Sequence, residues 1–236
     1  MLVGLAILRL HAKLMGPSGD MAASEVASSA AFRISAIYSL VLGLIFSGVS
    51  FQFTEAQRNL QQQAVQIGKI HSLLGLYESE QVQPVRQQLK TLLQHSIQEF
   101  ESEQFASAQA TPSAQSFLDL RKLTLQLPDE SQKQRALKHE VLTQVSQLGD
   151  IRLNRFVFRW GNATPGFWIF YIVGFLLVVF CFGAYSASAK RDVYVALFCV
   201  FVGMTAYFIY GLSSPFTAPI KIDDLAFQEL AARLRE

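Results

Sequence analysis

The chain has 236 residues, 51% hydrophobic and 16% charged, with a formal net charge of +2. So small a charge, carried by Lys and Arg scattered along the chain, is too little to argue for a nucleic-acid partner, and none is expected. Its two cysteines, Cys181 and Cys199, both stand in apolar runs and read as small hydrophobes, which excludes a disulfide framework.

Residues 1–31 form the first region. Residues 2–8 are apolar, but Arg9, His11 and Lys13 follow, and Gly16-Pro17-Ser18-Gly19-Asp20 reads as a loop. No basic residue precedes the apolar run, which argues against a signal peptide. Seven residues cannot span a bilayer, so this is either a short or truncated membrane helix or an interfacial anchor.

Residues 32–54 are the first clear transmembrane helix. Between Arg33 and Glu55 no Asp, Glu, Lys or Arg occurs, and that stretch would rise about 31 Å as a helix, against a hydrocarbon core of ~30 Å. Ser35, Ser39, Gly43 and Ser47 recur every fourth residue and Ser50 follows, so all five lie near one helical face. In a bilayer such a stripe either lets a second helix approach closely or lines a water-filled path with hydroxyls in place of hydration. Both readings stay open. If the helix is rotated, the neighbouring Leu42, Phe46 and Val49 could form a dewetting constriction instead.

Residues 55–159 read as a helical cytoplasmic domain. Phe53, Leu60, Ile67 and Leu74 stand seven apart, with Ala56, Gln63, Ile70 and Tyr77 as companions. This seam predicts one long helix leaving the membrane, with Gln63 its polar intrusion and Gly68 and Gly75 its candidate breaks. Pro84 restarts the pattern with Val85, Leu89, Leu92, Leu93, Ile97 and Phe100. Glu99, Glu101 and Glu103 read as a solvated acidic end. After a loop over 106–113 come two more helices: Phe117, Leu120, Leu123 and Leu127, stopped by Pro128-Asp129, then Leu137, Val141, Val145, Leu148 and Ile151. Arg152, Arg155 and Arg159 before Trp160 read as an interfacial anchor.

Residues 160–212 form a transmembrane hairpin. The charge-free runs 160–189 and 193–220 are each long enough to span, and the knot Lys190-Arg191-Asp192 makes them antiparallel neighbours. The stripe Cys199, Gly203, Tyr207 and Gly211 is expected to pack. Residues 213–236 read as a Pro215-Phe216 turn and a C-terminal helix. The fold class is thus an all-α integral membrane protein, with three clear transmembrane helices, room for a short fourth at the N-terminus, and a helical cytoplasmic domain between them. Arg58, Lys69, Arg152, Arg155, Arg159, Lys221, Arg233 and Arg235 on one side outnumber Arg33, Lys190 and Arg191 on the other. By the positive-inside rule the middle region and C-terminus face the cytoplasm, in a multi-pass protein of the cell inner membrane.

Catalytic motifs are missing, and none of His11, His71, His95 and His139 pairs at metal-ligand spacing. Neither an enzyme, a metal nor a cofactor is expected. The clear membrane helices also lack a charged residue at mid-depth, which argues against a pump but leaves a channel open.

The stretch Tyr210-Gly-Leu-Ser-Ser-Pro-Phe-Thr-Ala-Pro-Ile-Lys-Ile222, and the helix after Pro84 entered through Leu76-Tyr77, resemble the bacterial bestrophin-like membrane-domain family. Those proteins pair two N-terminal membrane helices with a polar helical middle and a second hairpin. A Pro-Phe turn, an extended stretch and a small helix then end the chain. An acidic residue commonly precedes the Pro-Phe pair there, where this chain has Ser213 and Ser214. The resemblance implies a relation to bestrophin anion channels: a homo-oligomer, such as a pentamer, around a central pore in the lipid bilayer, passing inorganic anions, with no catalytic residue. The alternative is a non-conducting membrane scaffold or accessory subunit that binds a partner through its cytoplasmic helices.

Overall fold

The computed structural model describes residues 21–77, 79–102, 111–154, 165–183, 189–217 and 219–234, and every regular element among them is helical. The first, α1, runs unbroken from Met21 to Gly75. Gly68 does not interrupt it, and it stops at Gly75. A single 3₁₀ turn, Glu80–Val82, follows, its entry capped by Ser79, whose hydroxyl accepts from the Gln81 N–H at 3.2 Å. Helix α2 (Gln83–Glu101) carries Pro84 in its first turn, where a missing N–H costs nothing. Helix α3 (Pro112–Leu125) starts on the Thr111 cap, which accepts from the Ala114 N–H at 3.3 Å. Helix α4 (Gln132–Asn154) opens on a reciprocal cap, with Ser131 Oγ accepting from Gln134 N and Gln134 Oε1 accepting from Ser131 N, both at 3.1 Å. Then come α5 (Pro165–Gly183), α6 (Ala189–Leu212) and the short α7 (Leu225–Arg233). The charged knot is therefore the first turn of α6, where Asp192 suits the positive end of the helix dipole. The N-terminal segment 1–20, Glu103, and Arg155, Arg159 and Trp160 lie outside the described residues.

The chain divides into two compact units. The first comprises Met1–Phe51 and Gly161–Ser213, the second Gln52–Trp160 and Ser214–Glu236, and α1 contributes to both.

In the first unit the core is built from Tyr38, Leu42 and Val49 of α1, Phe167 and Val178 of α5, and Val202 and Ile209 of α6. Phe175 and Phe198 stack with ring planes 3° apart. The outside of this unit is as apolar as its inside: Ile37, Leu40, Leu44, Phe51, Ile169, Leu197, Val200 and Phe201 are all more than half exposed. Ser29–Gly75 and Asp192–Leu212 are long and apolar enough to cross a membrane, with mean hydropathies of 2.0 and 2.1 over their most apolar windows, and Gly166–Phe182 is a shorter apolar helix. Only 17% and 22% of those two windows is buried within the chain. Of the Cys199–Gly211 stripe, Cys199 and Gly211 are buried, while Gly203 and Tyr207 are open.

The second unit has an ordinary interior. Ala56, Leu60, Ile67, Ile70 and Leu74 of α1 pack with Leu89 and Leu92 of α2, Leu120 of α3, Val141, Val145 and Leu148 of α4, and Phe227 of α7. The expected seam is thus the buried face of lower α1, Gln63 included. Carboxamides satisfy its polar positions. Gln63 donates to Asn59 Oδ1 at 2.9 Å, and Asn59 donates to the Ile151 carbonyl at 2.9 Å. Gln66 Nε2 reaches the Gln144 carbonyl at 3.0 Å and Gln147 Oε1 at 3.1 Å. Tyr77 closes the seam by donating to the carbonyls of Pro128 and Gln134.

Two expectations are corrected here. Glu99 is 3% exposed, and Arg152 is 6% exposed. Neither belongs to a solvated or interfacial surface, because each has a partner inside the unit. The Glu99 carboxylate accepts from the Ser113 N–H at 2.7 Å and from the Ser113 hydroxyl at 2.6 Å. Arg152 donates to the same hydroxyl at 2.7 Å, and its guanidinium lies 5.5 Å from the centre of the Phe117 ring. Ser113 thus bonds to both side chains, joining α2, the start of α3 and α4.

Candidate functional site

At 100° per residue, α1 divides cleanly within the first unit. Tyr38, Leu42 and Val49 are each less than 5% exposed and face α5 and α6. Ser39, Gly43 and Ser47 are exposed, and Ser35 and Ser50, at the two ends of the stripe along the helix, are half-buried. A methyl group added at Gly43 or Gly48 would meet nothing within 4 Å. Ser39, Gly43 and Ser47 therefore share one open face, and beside it stand the large apolar side chains of Leu40 and Leu44. The three expected constriction residues do not stay together. Leu42 and Val49 are occupied in the core, and only Phe46, at the edge of the stripe, is exposed.

On the buried side of α1, Tyr38 makes the polar contact to α5. Its hydroxyl donates to the Tyr171 carbonyl at 3.0 Å, and the Tyr171 hydroxyl donates to the Val202 carbonyl at 2.8 Å, so α1 is tied to α5 and α5 to α6. The Tyr38 ring lies against bare backbone at Gly174, where an added Cβ would fall 2.5 Å from two ring carbons.

The Pro215-Phe216 turn sits in the second unit. Phe216 is buried and meets the edge of Phe100, with ring centres 6.5 Å apart. The Pro215 carbonyl accepts from Ile222 N at 2.9 Å. Lys221 then donates to the Phe100 carbonyl at 2.7 Å while lying 4.5 Å over the Phe100 ring, a cation at the negative end of α2. Elsewhere in this unit burial, with Arg86 and Lys90 adding to it, holds the His71 imidazole below its ordinary pKa, and burial, with Asp129 adding to it, raises the Tyr77 phenol. Among the described residues no group of three His, Cys, Asp or Glu side chains is placed to hold a metal.

Chemically, the open face of α1 offers hydroxyl donors and acceptors without charge. It can stand in for part of the hydration shell of an ion, or take a second helix at close range. The residues hidden from a reading of the sequence are Tyr38, Gly174, Glu99 and Arg152. The last two do have a signal, since Glu99 stands seven residues after Leu92 and Arg152 seven after Val145, both in register with buried apolar positions.

The bestrophin-like domain model matches residues 1–227. Among solved structures, the fold is similar to that of a mutated bacterial bestrophin homologue from Klebsiella pneumoniae. The TM-score is 0.66 at 13% identity, covering 99% of this chain and 96% of that one. Among curated proteins none matches the sequence. The match spans the Pro215-Phe216 turn and the helix after Pro84 that carry the resemblance in the sequence, and the chain belongs to the bestrophin-like family.

Proposed function

We propose that this chain is one subunit of an oligomeric membrane channel that passes inorganic anions, with Ser39, Gly43 and Ser47 of α1, flanked by Ser35 and Ser50, along the path. In this reading α1, α5 and α6 cross the inner membrane and the second unit lies on the cytoplasmic side. Family membership supports it, since known members are anion channels.

The observation that carries the proposal is the division of the open arc of α1. On one side of that arc Leu40 and Leu44 suit lipid tails. On the other, Ser39, Gly43 and Ser47 present hydroxyls and bare backbone, which lipid does not reward. One helix cannot enclose a path, so the stripe calls for copies arranged around an axis, each contributing its serines. Phe46, exposed at the stripe's edge, is the residue placed to narrow that path. Leu42 and Val49 anchor α1 to the hairpin instead.

The test is chloride flux into liposomes by the purified full chain, together with its oligomeric state. A symmetric oligomer that conducts, with flux cut by Ser39→Leu or Ser47→Leu, is the expected outcome. A monomer or tight dimer without flux overturns the proposal and leaves the non-conducting scaffold.

A further inference from the structure

We propose that Tyr38, seated on Gly174 and tied through Tyr171 to α6, is a positioning residue that sets the rotation of α1 about its own axis, and thereby decides which arc of that helix the channel exposes to its path. The proposal rests on the channel reading for the meaning of the serine stripe, but its geometry stands apart from conduction.

Between helices in lipid, burying an aliphatic side chain gains little, because the tails it leaves are as apolar as the helix it meets. Leu42 and Val49 therefore hold α1 against the hairpin without dictating its rotation. A directional contact and a close-packed glycine do dictate it. Tyr38 supplies both: a hydrogen bond of 3.0 Å to the Tyr171 carbonyl, and a ring pressed onto Gly174 where no side chain would fit. The rings of Phe170 and Tyr171 flank it, with centres 6.1 and 6.3 Å away. Its acceptor is fixed in turn, since the hydroxyl of Tyr171 is anchored at 2.8 Å on the Val202 carbonyl. Each carbonyl has a second lone pair beyond the one used by its own helix.

Ser39 is the next residue, about 100° further round. Pinning Tyr38 inward thus sends Ser39 outward, and Gly43 and Ser47 follow one turn apart. Rotation by one position would strip the Tyr38 hydroxyl of its acceptor. It would also carry Leu40 and Leu44 toward the place of the serines.

The experiment measures helix rotation without requiring flux. In the full chain with Cys181→Ala and Cys199→Ala, a nitroxide is attached through single cysteines at Ser39, Leu40, Gly43, Leu44 and Ser47 in turn, in liposomes. Collision rates are read with oxygen, which favours lipid, and with a water-soluble nickel chelate. Oxygen collisions should peak at Leu40 and Leu44, and the phase of that periodicity reports the rotation. Tyr38→Phe, which removes only the hydroxyl, and Gly174→Ala, which lifts the ring, should each shift the phase by tens of degrees, up to about 100° for one residue position. Leu42→Ala removes packing from the same face and should leave the phase unchanged, which separates positioning from general destabilisation. An unchanged phase in folded Tyr38→Phe and Gly174→Ala overturns the proposal, as does an equal shift in Leu42→Ala. Nickel collisions at Ser39 and Ser47 test the water-filled path separately. Their absence would sink the channel reading while the oxygen phase still decides the role of Tyr38.

Discussion

Replacing Arg152 by methionine removes a guanidinium that is 6% exposed and keeps a side chain of similar reach. Arg152 Nη2 donates at 2.7 Å to Ser113 Oγ, which in turn donates at 2.6 Å to Glu99 Oε2. The substitution therefore leaves a carboxylate in a closed site without this cation. Breaking a buried charge pair from one side costs roughly 3–5 kcal/mol. Glu99 keeps the N–H and hydroxyl of Ser113, so the loss should lie at the lower end, about 3 kcal/mol. In a chain of this length 1 kcal/mol moves the melting temperature by about 2–4 °C, which gives a fall of roughly 6–12 °C. The measurement is thermal unfolding of the full chain in detergent, followed by far-ultraviolet circular dichroism. Glu99→Gln added to Arg152→Met should recover much of the loss, because the buried group is then neutral. A single variant melting within about 2 °C of the parent, or a double variant losing the sum of both singles, would refute the coupling.

At Gly149, an added Cβ would fall 2.9 Å from the Phe117 ring, whose centre lies 5.5 Å from the Arg152 guanidinium. Overpacking of about 1–3 kcal/mol should outweigh the gain of about 1 kcal/mol in helix propensity, so Gly149→Ala should melt lower and Phe117→Leu on top of it should restore part of the loss. Lys221→Met removes the cap on the Phe100 carbonyl. Losing about 1–2 kcal/mol there should speed amide hydrogen exchange over residues 98–102 by roughly 5–30-fold, and unchanged exchange would show the cap to be idle. His71, held below its ordinary 6.5 by burial and by Arg86 and Lys90, is protonated first in the unfolded chain as pH falls. Stability should therefore drop from about pH 6.5 downward and level off below the lowered folded value. Urea midpoints of His71→Gln should fall less than the parent's over that range, and parallel midpoints would contradict the assignment.

The places of the helices are legible in the sequence because burial follows their period. Val85, Leu89, Leu92 and Phe100 sit on the stripe that Pro84 opens, and the seam from Ala56 to Leu74 is the buried face of lower α1. That period also carries Glu99 and Arg152, but residue type points the other way, and what overrides type is Ser113, whose placement comes from the fold. In the first unit the difficulty is of another kind. Both faces of its helices are apolar, so periodicity holds little information about which one turns inward. The serine stripe can be read as a face, yet its direction depends on Tyr38 meeting a glycine 136 positions along the chain. Leu42, Phe46 and Val49 look equivalent as letters and part company only there.

The carboxamide seam between α1 and α4 has a further consequence. Asn59, Gln63, Gln66, Gln144 and Gln147 carry no net charge and do not titrate, so the bonds among them keep their strength at any ionic strength the protein meets, whereas exposed ion pairs in the same place would be screened. An amide also both gives and accepts, which makes it particular about register: sliding α4 by one turn would take Ile151 from Asn59 and Gln144 from Gln66 together. The pairing of α1 with α4 is thereby aligned by groups indifferent to the salt around them.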